Sequence, residues 1–356
     1  MSRVAVAVIG AGVIGRAHAQ ALMGLPRCRL AAIVDPTDAA RSFAGSLDVP
    51  WFGDVATLLE TAKPDAAIVA TPNATHRALT ITFLAAGVPV LVEKPIASTV
   101  EDAEAIVQAT ARTGIPVLVG HHRRHNPIIR RAKAVIEEGL LGRLTNVSIL
   151  SAFFKPPEYF DLAWRRQAGG GPILINLIHE IDLVRHLCGE VVSIQAVASN
   201  AIRGFEVEDT AAVLLRLANG ALVTISLSDT GVAPWSWDLS SGESANYPSQ
   251  PGPVHSHFLT GTAGSLTLPT LDHWNYAGSK SWFAPISRRS LLEERGDPYA
   301  EQLRHLGRVV RGEEAPLVSA ADATQTLRAT LTVREAAKTG LTVAVAEGSP
   351  ASGSSA

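Results

Sequence analysis

Cysteine is almost missing from this chain: Cys28 and Cys188 are the only two in 356 residues. Two thiols cannot form a disulfide framework or a four-thiolate zinc site. Charge of either sign is scarce and balanced, with 31 Lys+Arg against 33 Asp+Glu and a net charge of −2. That balance argues against a nucleic-acid or anionic-membrane surface as the main partner. No apolar run reaches the ~18 residues of a membrane span without a charge, Gly or Pro break, and no internal repeat is present. Apolar residues are plentiful. Hydrophobic residues make up 47% and charged ones 18%, which is too apolar for disorder and enough for a large core. The length exceeds the ~250–300 residues at which one core stops growing, so two domains are expected. The expected setting is the cytoplasm.

The N-terminus admits two readings. Arg3, the apolar run 4–14 and the small residues around His18 have the outline of a secretory signal. The preferred reading is a buried parallel strand running into a glycine-rich turn, because cleavage there would discard three regularly spaced glycines.

Residues 4–120 alternate short apolar runs with helical patterns. Strands are expected at 4–9, 30–34, 66–70, 88–92 and 116–119, and helices at 13–24, 37–46, 55–62, 74–86 and 99–113. The strands are continuously apolar, as expected where helices cover both faces of a parallel sheet. The alternation predicts a doubly wound α/β fold. The first turn reads Gly10-Ala11-Gly12-Val13-Ile14-Gly15. In such a turn the first glycine permits the tight bend and the second lets backbone approach a pyrophosphate. The third allows close helix–strand packing, while the amides of the helix N-terminus attract the anion. Asp35 follows at the end of the second strand, where a carboxylate accepts the ribose hydroxyls and repels a 2′-phosphate. NAD is therefore the expected cofactor, and NADP stays open because Arg41 lies one helical turn further on. Two later strand ends, Thr71-Pro72-Asn73 with His76 and Glu93-Lys94-Pro95, fall where ligands bind in open α/β sheets.

These motifs, in this order and spacing, resemble the glucose–fructose oxidoreductase/inositol dehydrogenase/rhizopine catabolism (Gfo/Idh/MocA) family, and the resemblance continues to about residue 340. It implies an N-terminal Rossmann NAD(P)-binding domain over 1–122. A C-terminal α+β domain with a large open, mainly antiparallel sheet follows over 123–340, for substrate binding and oligomerisation, with a disordered tail at 347–356. The cofactor set expected is Gly10, Gly12, Val13, Ile14, Gly15, Asp35, Thr71, Pro72, Asn73, His76, Glu93 and Lys94.

Past residue 123 the pattern changes to a helix near 127–138 and alternating segments at 144–152, 191–199, 211–217, 221–228, 258–260 and 265–268. Such alternation marks a sheet with one packed face and one free face. Gly169-Gly170-Gly171-Pro172 feeds a helix on which Asn176, His179, Asp182 and His186 recur at three- and four-residue steps. A core histidine paired with Asp182 is the plainer reading of that stripe. The resemblance makes His179 the acid/base and Lys94 the residue that hydrogen-bonds the reacting oxygen. Many relatives carry Asp four residues before that histidine, and here Ile175 stands instead. Asn176, Arg124 and Trp235 are the candidate substrate contacts beside His179, with Trp237 as a second stacking candidate. No metal is expected, although His121 and His125 lie one helical turn apart. The expected activity is NAD(P)-dependent oxidation of a secondary alcohol of a sugar, inositol or other cyclic polyol, or the reverse ketone reduction. A redox-neutral glycosidase-type member and a non-catalytic regulator are the alternatives. A homodimer or homotetramer is the expected assembly, since a free sheet face exposes apolar surface.

Overall fold

A computed structural model describes residues 3–243, 247–248, 250–292 and 295–346. The tail 347–356, expected to be disordered, lies outside the described residues. The chain divides into two compact units, Met1–Asn126 with Gly296–Leu327, and Pro127–Arg295 with Arg328–Ala356.

The first unit is built on strands β1 (Val4–Ile9), β2 (Cys28–Val34), β3 (Trp51–Phe52), β4 (Ala66–Val69), β5 (Val90–Val92) and β6 (Val117–Val119). Helices α1 (Val13–Met23), α2 (Asp38–Ser46), α3 (Val55–Thr61), α4 (His76–Ala85) and α5 (Val100–Thr113) alternate with them. All strand pairs are parallel, in the order β3-β2-β1-β4-β5-β6. This doubly wound order reverses between β1 and β4, and the crevice at such a reversal is where ligands bind. β1 is buried along its whole length, which explains its unbroken apolar sequence. Side chains start three of the helices: Thr37 accepts from Ala40 N for α2, Asp54 from Thr57 N for α3, and Thr99 from Asp102 N for α5. Helix α1 starts at Gly12 with no side-chain cap and no acidic residue in its first turn.

The second unit opens with α6 (Pro127–Glu137) and β7 (Leu144–Ala152), and continues through α7 (Ile178–Cys188), β8 (Val191–Ser199), β9 (Thr210–Leu217) and β10 (Leu222–Ser228). A short helix α8 (Trp237–Ser240) precedes β11 (His257–Gly261), β12 (Ser265–Leu268), β13 (Asp272–Tyr276) and β14 (Ile286–Ser290). After α9 (Pro298–Val310) and α10 (Ala320–Thr339), β15 (Val343–Ala344) closes a nine-stranded sheet ordered β14-β13-β12-β11-β7-β10-β9-β8-β15. Among the described strand pairs of this sheet, only β7 and β10 run parallel. One face joins Ile128, Ile129, Leu183, Val184, Ala329 and Val333 in a single core. Burial alternates along β9 and β10, so the opposite face presents Val197, Leu214, Leu222, Phe258, Trp274 and Ile286 to solvent. No described helix is long and apolar enough to cross a membrane.

The units do not follow chain order. Reading along the sequence keeps 123–340 together, whereas the structure returns 296–327 to the first unit. Non-local packing is the reason. Leu303, Leu306 and Val309 of α9 share a core with Leu22, Leu25 and Cys28, and Val119 N donates to Val318 O at 3.0 Å beside β6.

Candidate active site

At the sheet reversal the end of β1 and the end of β4 meet. Ala70 N donates to Ile9 O at 2.8 Å, and Gly10 takes φ +93° with a Cβ position only 2.6 Å from Ala70 O. A Cβ on Gly15 would lie 1.9 Å from the Gly10 carbonyl oxygen, whereas one on Gly12 meets nothing within 4 Å. So the first and third glycines are required by the protein's own backbone, and the second borders open space. Val13 and Ile14 follow with exposed side chains, at a helix end whose amides carry partial positive charge. Asp35 Oδ2 accepts from Ala11 N at 2.9 Å, and its Oδ1 accepts from Thr37 N at 3.0 Å and Thr37 Oγ1 at 2.6 Å. Partial burial pushes this carboxyl up. The bonds from Thr37 and Ala11, with Arg16 nearby, outweigh that and hold it below the usual carboxylate range. It stays an anion with lone-pair capacity left over.

Behind this edge, Thr71 Oγ1 bonds Thr75 Oγ1 at 2.6 Å, and Pro72 and Asn73 lead into the turn before α4. His76, read as a cofactor contact, is fully buried beneath the loops. Its Nδ1 lies 2.9 Å from Pro95 O and its Nε2 2.9 Å from Thr71 O. It therefore ties the loop after β4 to the loop after β5, and burial lowers its pKa against the pull of those carbonyls. Glu93 is likewise interior. Its Oε1 meets His18 Nε2 at 2.7 Å, and its Oε2 accepts from Lys94 N at 3.2 Å. Burial pushes the Glu93 carboxyl up, but the His18 bond and the electrostatics of His18, His122 and Lys94 hold it low. The carboxylate also packs against Gly120, where a Cβ would come within 2.8 Å of it. Glu93 and His76 thus brace the half-buried Lys94 at the carboxyl end of β5, His76 with no surface of its own. Arg124, expected at the substrate, is buried and forms an ion pair with Asp322. That pairing ties the segment after β6 to the start of α10.

In the second unit, Glu208 reaches over the glycine loop. Its Oε1 accepts from Ile173 N at 2.9 Å, and the carboxylate leaves no room for a Cβ on Gly171. The expected single helix is two segments, a π-helical stretch Ile173–Leu177 followed by α7. Asn176 belongs to the π stretch and His179 to the first turn of α7. His179 is 8% exposed, while Glu180 and Asp182 are 1% exposed. Lys155, in the turn after β7, donates to Asn176 Oδ1 at 2.7 Å and pairs with Asp229 Oδ2 at 3.2 Å. The residue-by-residue reading missed Lys155. Its signal was a lone lysine set among Phe153, Phe154, Tyr159 and Phe160.

Trp235 is half-exposed, but Trp237 is completely buried, with its Nε1 donating to Glu243 Oε2 at 2.7 Å. Trp237 therefore cannot stack on a ligand. Its edge meets His257, which joins Ser256 Oγ at 2.9 Å to Glu180 Oε2 at 2.8 Å. This hydroxyl–imidazole–carboxylate chain has the composition of a nucleophile relay, yet Ser256, His257 and Glu180 are at most 2% exposed. It is a structural tie between α7 and β11. Among the described residues, no group of three His, Cys, Asp or Glu side chains could hold a metal ion.

The first-unit geometry suits a dinucleotide: an open space at Gly12 for a pyrophosphate, an uncapped helix N-terminus, and an ionised Asp35 for ribose hydroxyls. Comparison with known proteins agrees. Residues 4–121 match the family described as an oxidoreductase family with an NAD-binding Rossmann fold, and residues 129–243 match the GFO/IDH/MocA C-terminal domain. The chain is 31% identical to inositol 2-dehydrogenase of Rhizobium meliloti over 228 residues, 62% of this chain and 67% of that protein. It is 26% identical to scyllo-inositol 2-dehydrogenase (NAD(+)) of Bacillus subtilis, over 95% of each. Its fold is similar to the crystal structure of the WlbA dehydrogenase from Bordetella pertussis in complex with NADH and UDP-GlcNAcA. The TM-score is 0.78 at 23% identity, covering 97% of this chain and all of that one. The chain belongs to the Gfo/Idh/MocA family of oxidoreductases with an NAD-binding Rossmann fold.

Proposed function

We propose that this oxidoreductase acts on a secondary alcohol of an inositol, a sugar or another cyclic polyol, or on the corresponding ketone in reverse. The observation that carries the reading is the Gly12–Asp35 cradle in a chain whose relatives are named inositol dehydrogenases. NAD, when bound, supplies the acceptor for the hydride of the carbinol carbon. Gly12, the amides of Val13 and Ile14, and Asp35 hold the cofactor, with Thr71, Pro72 and Asn73 at the next strand end. Lys94 donates a hydrogen bond to the reacting oxygen, favouring the charge that develops there. His179 takes the hydroxyl proton, a role suited to an imidazole whose unperturbed pKa lies near neutrality. Asn176 contacts a neighbouring hydroxyl, and Trp235 offers a ring face to the sugar.

The test is incubation of the purified protein with NAD+ and a panel of myo-inositol, scyllo-inositol, levoglucosan, glucose and p-nitrophenyl glycosides, following NADH absorbance and nitrophenol release. Net NADH formation with at least one polyol supports the reading. Glycoside cleavage without net NADH assigns the chain to redox-neutral chemistry instead, and cofactor binding without turnover assigns it to sensing.

A further inference from the structure

A buried lysine and a part-buried arginine flank one carboxylate beside the π-helical turn. Asp229 is 1% exposed and pairs with both Lys155 Nζ at 3.2 Å and Arg203 Nε at 3.2 Å. Arg203 also donates to the backbone oxygens of Lys155 at 3.0 Å and Asp229 at 2.6 Å, so it anchors this corner from several directions. Arg203 balances the charge of Asp229, and Asp238 adds a further, weaker pull on Lys155. Lys155 is then a second buried charge, 6% exposed, and burial holds its pKa below the usual lysine value. A buried ammonium is costly unless something uses its hydrogen bonds. Its other partner is Asn176 Oδ1, at 2.7 Å. The ammonium also lies 4.8 Å from the centre of the Tyr159 ring.

The bond to Asn176 has a chemical consequence. An ammonium only donates, so it fixes which end of the carboxamide faces it. With Oδ1 held by Lys155, the two Nδ2 protons are what Asn176 presents elsewhere. His179 follows three residues later, one helical turn along. Four residues before His179 stands apolar Ile175 and, one residue on, a carboxamide locked as a donor.

We propose that Lys155 is a positioning residue of the alcohol site: it locks the Asn176 carboxamide so that Nδ2 donates to the hydroxyl oxygen adjacent to the reacting carbon. This rests on the polyol reading above. The recognised feature is therefore a vicinal diol, one oxygen for reaction and its neighbour for Asn176.

The test uses the full chain, with NAD+ for turnover and NADH for the binding readout, and Lys155→Met, with Lys155→Arg as the conservative variant. Wild type must first form NADH with a polyol; failure at that step removes the polyol reading, and this proposal with it. Lys155→Met is expected to raise KM by about two- to tenfold, the loss expected for one hydrogen bond between neutral groups, with kcat changing far less. NADH affinity should be retained, and Lys155→Arg should recover part of the KM. A substrate lacking the adjacent hydroxyl should be poor for wild type and no worse for Lys155→Met. The chain has six lysines, so 13C-lysine labelling gives a readout independent of turnover. The Lys155 Cε signal, assigned by its loss in Lys155→Arg, should shift when myo-inositol is added. An unchanged KM in a folded Lys155→Met protein, or a Lys155 signal that stays put, overturns the proposal. So does a variant that loses stability but regains it in Lys155→Arg with no effect on KM.

Discussion

Gly12 and Gly15 occupy the same turn, but alanine at the two positions should fail in opposite ways. At Gly15 the new methyl would sit 1.9 Å from the Gly10 carbonyl oxygen and 3.0 Å from its carbon. Both are backbone atoms, so the turn must open. Overpacking of this kind costs about 1–3 kcal/mol, and a protein of this size loses about 2–4 °C of Tm per kcal/mol. Gly15→Ala should therefore melt about 2–12 °C lower. At Gly12 the methyl meets nothing within 4 Å, and the backbone angles, φ −71° and ψ −169°, are open to any residue. Alanine is a poorer N-cap than glycine by a few tenths of a kcal/mol or more. It also stiffens the unfolded chain by a comparable amount, so Gly12→Ala should leave Tm almost unchanged. The space it fills is the space assigned to the pyrophosphate. A misfit of about 1–3 kcal/mol there weakens NADH binding by about 5–150-fold. Calorimetric titration with NADH alongside a thermal melt reads both effects. A Gly12→Ala protein that binds NADH as well as wild type would refute the reasoning, because that glycine would then be a feature of the turn alone.

Asp35 should make NAD bind more tightly than NADP, and Asp35→Ser should narrow the gap. Because its pKa is held below the usual carboxylate range, the preference should persist through neutral and mildly acidic pH. It should fade only as pH falls through that lowered value, and equal affinities in the unmodified protein would remove the assignment. Lys94→Ala and His179→Ala should each lower kcat by about 10²-fold or more with NADH affinity retained. The His179 variant should also lose the limb of the pH–rate profile near neutrality, and near-normal turnover by it would shift the proton-transfer role elsewhere. The outer face of the nine-stranded sheet carries Phe258, Trp274 and Ile286 around an open groove of about 650 Å³. A dimer or tetramer formed through that face is expected, with Trp274→Arg weakening it, and a monomer by light scattering at micromolar concentration would contradict this.

What could be read from the sequence was local in origin. The span of β1, the glycine turn and Asp35 depend on a few consecutive residues, since an unbroken apolar strand entering a Gly-rich turn has few other solutions. β7, β8 and β12 were equally plain because their alternation records which face is buried. β3 escaped notice because Trp51–Phe52 is too short to show a period. The roles of buried polar residues were less accessible. Arg124 was read as a substrate contact, and nothing local announces its partner Asp322, 198 residues away. His76 sits in a recognisable motif, but its partners are the carbonyls of Thr71 and Pro95, which sequence does not advertise. Lys155 was missed because its neighbours Asn176, Arg203 and Asp229 come from three separate stretches of chain.

The central claim is hydride transfer from a polyol carbon to NAD. It is tested most directly by incubating the enzyme and NAD+ with myo-inositol deuterated at every carbon, then measuring deuterium in the recovered cofactor by mass spectrometry. One deuterium per NADH formed, with a ketone product, is the predicted result. NADH absent, or a cofactor recovered without deuterium, from this and the other deuterated polyols of the panel would contradict the account.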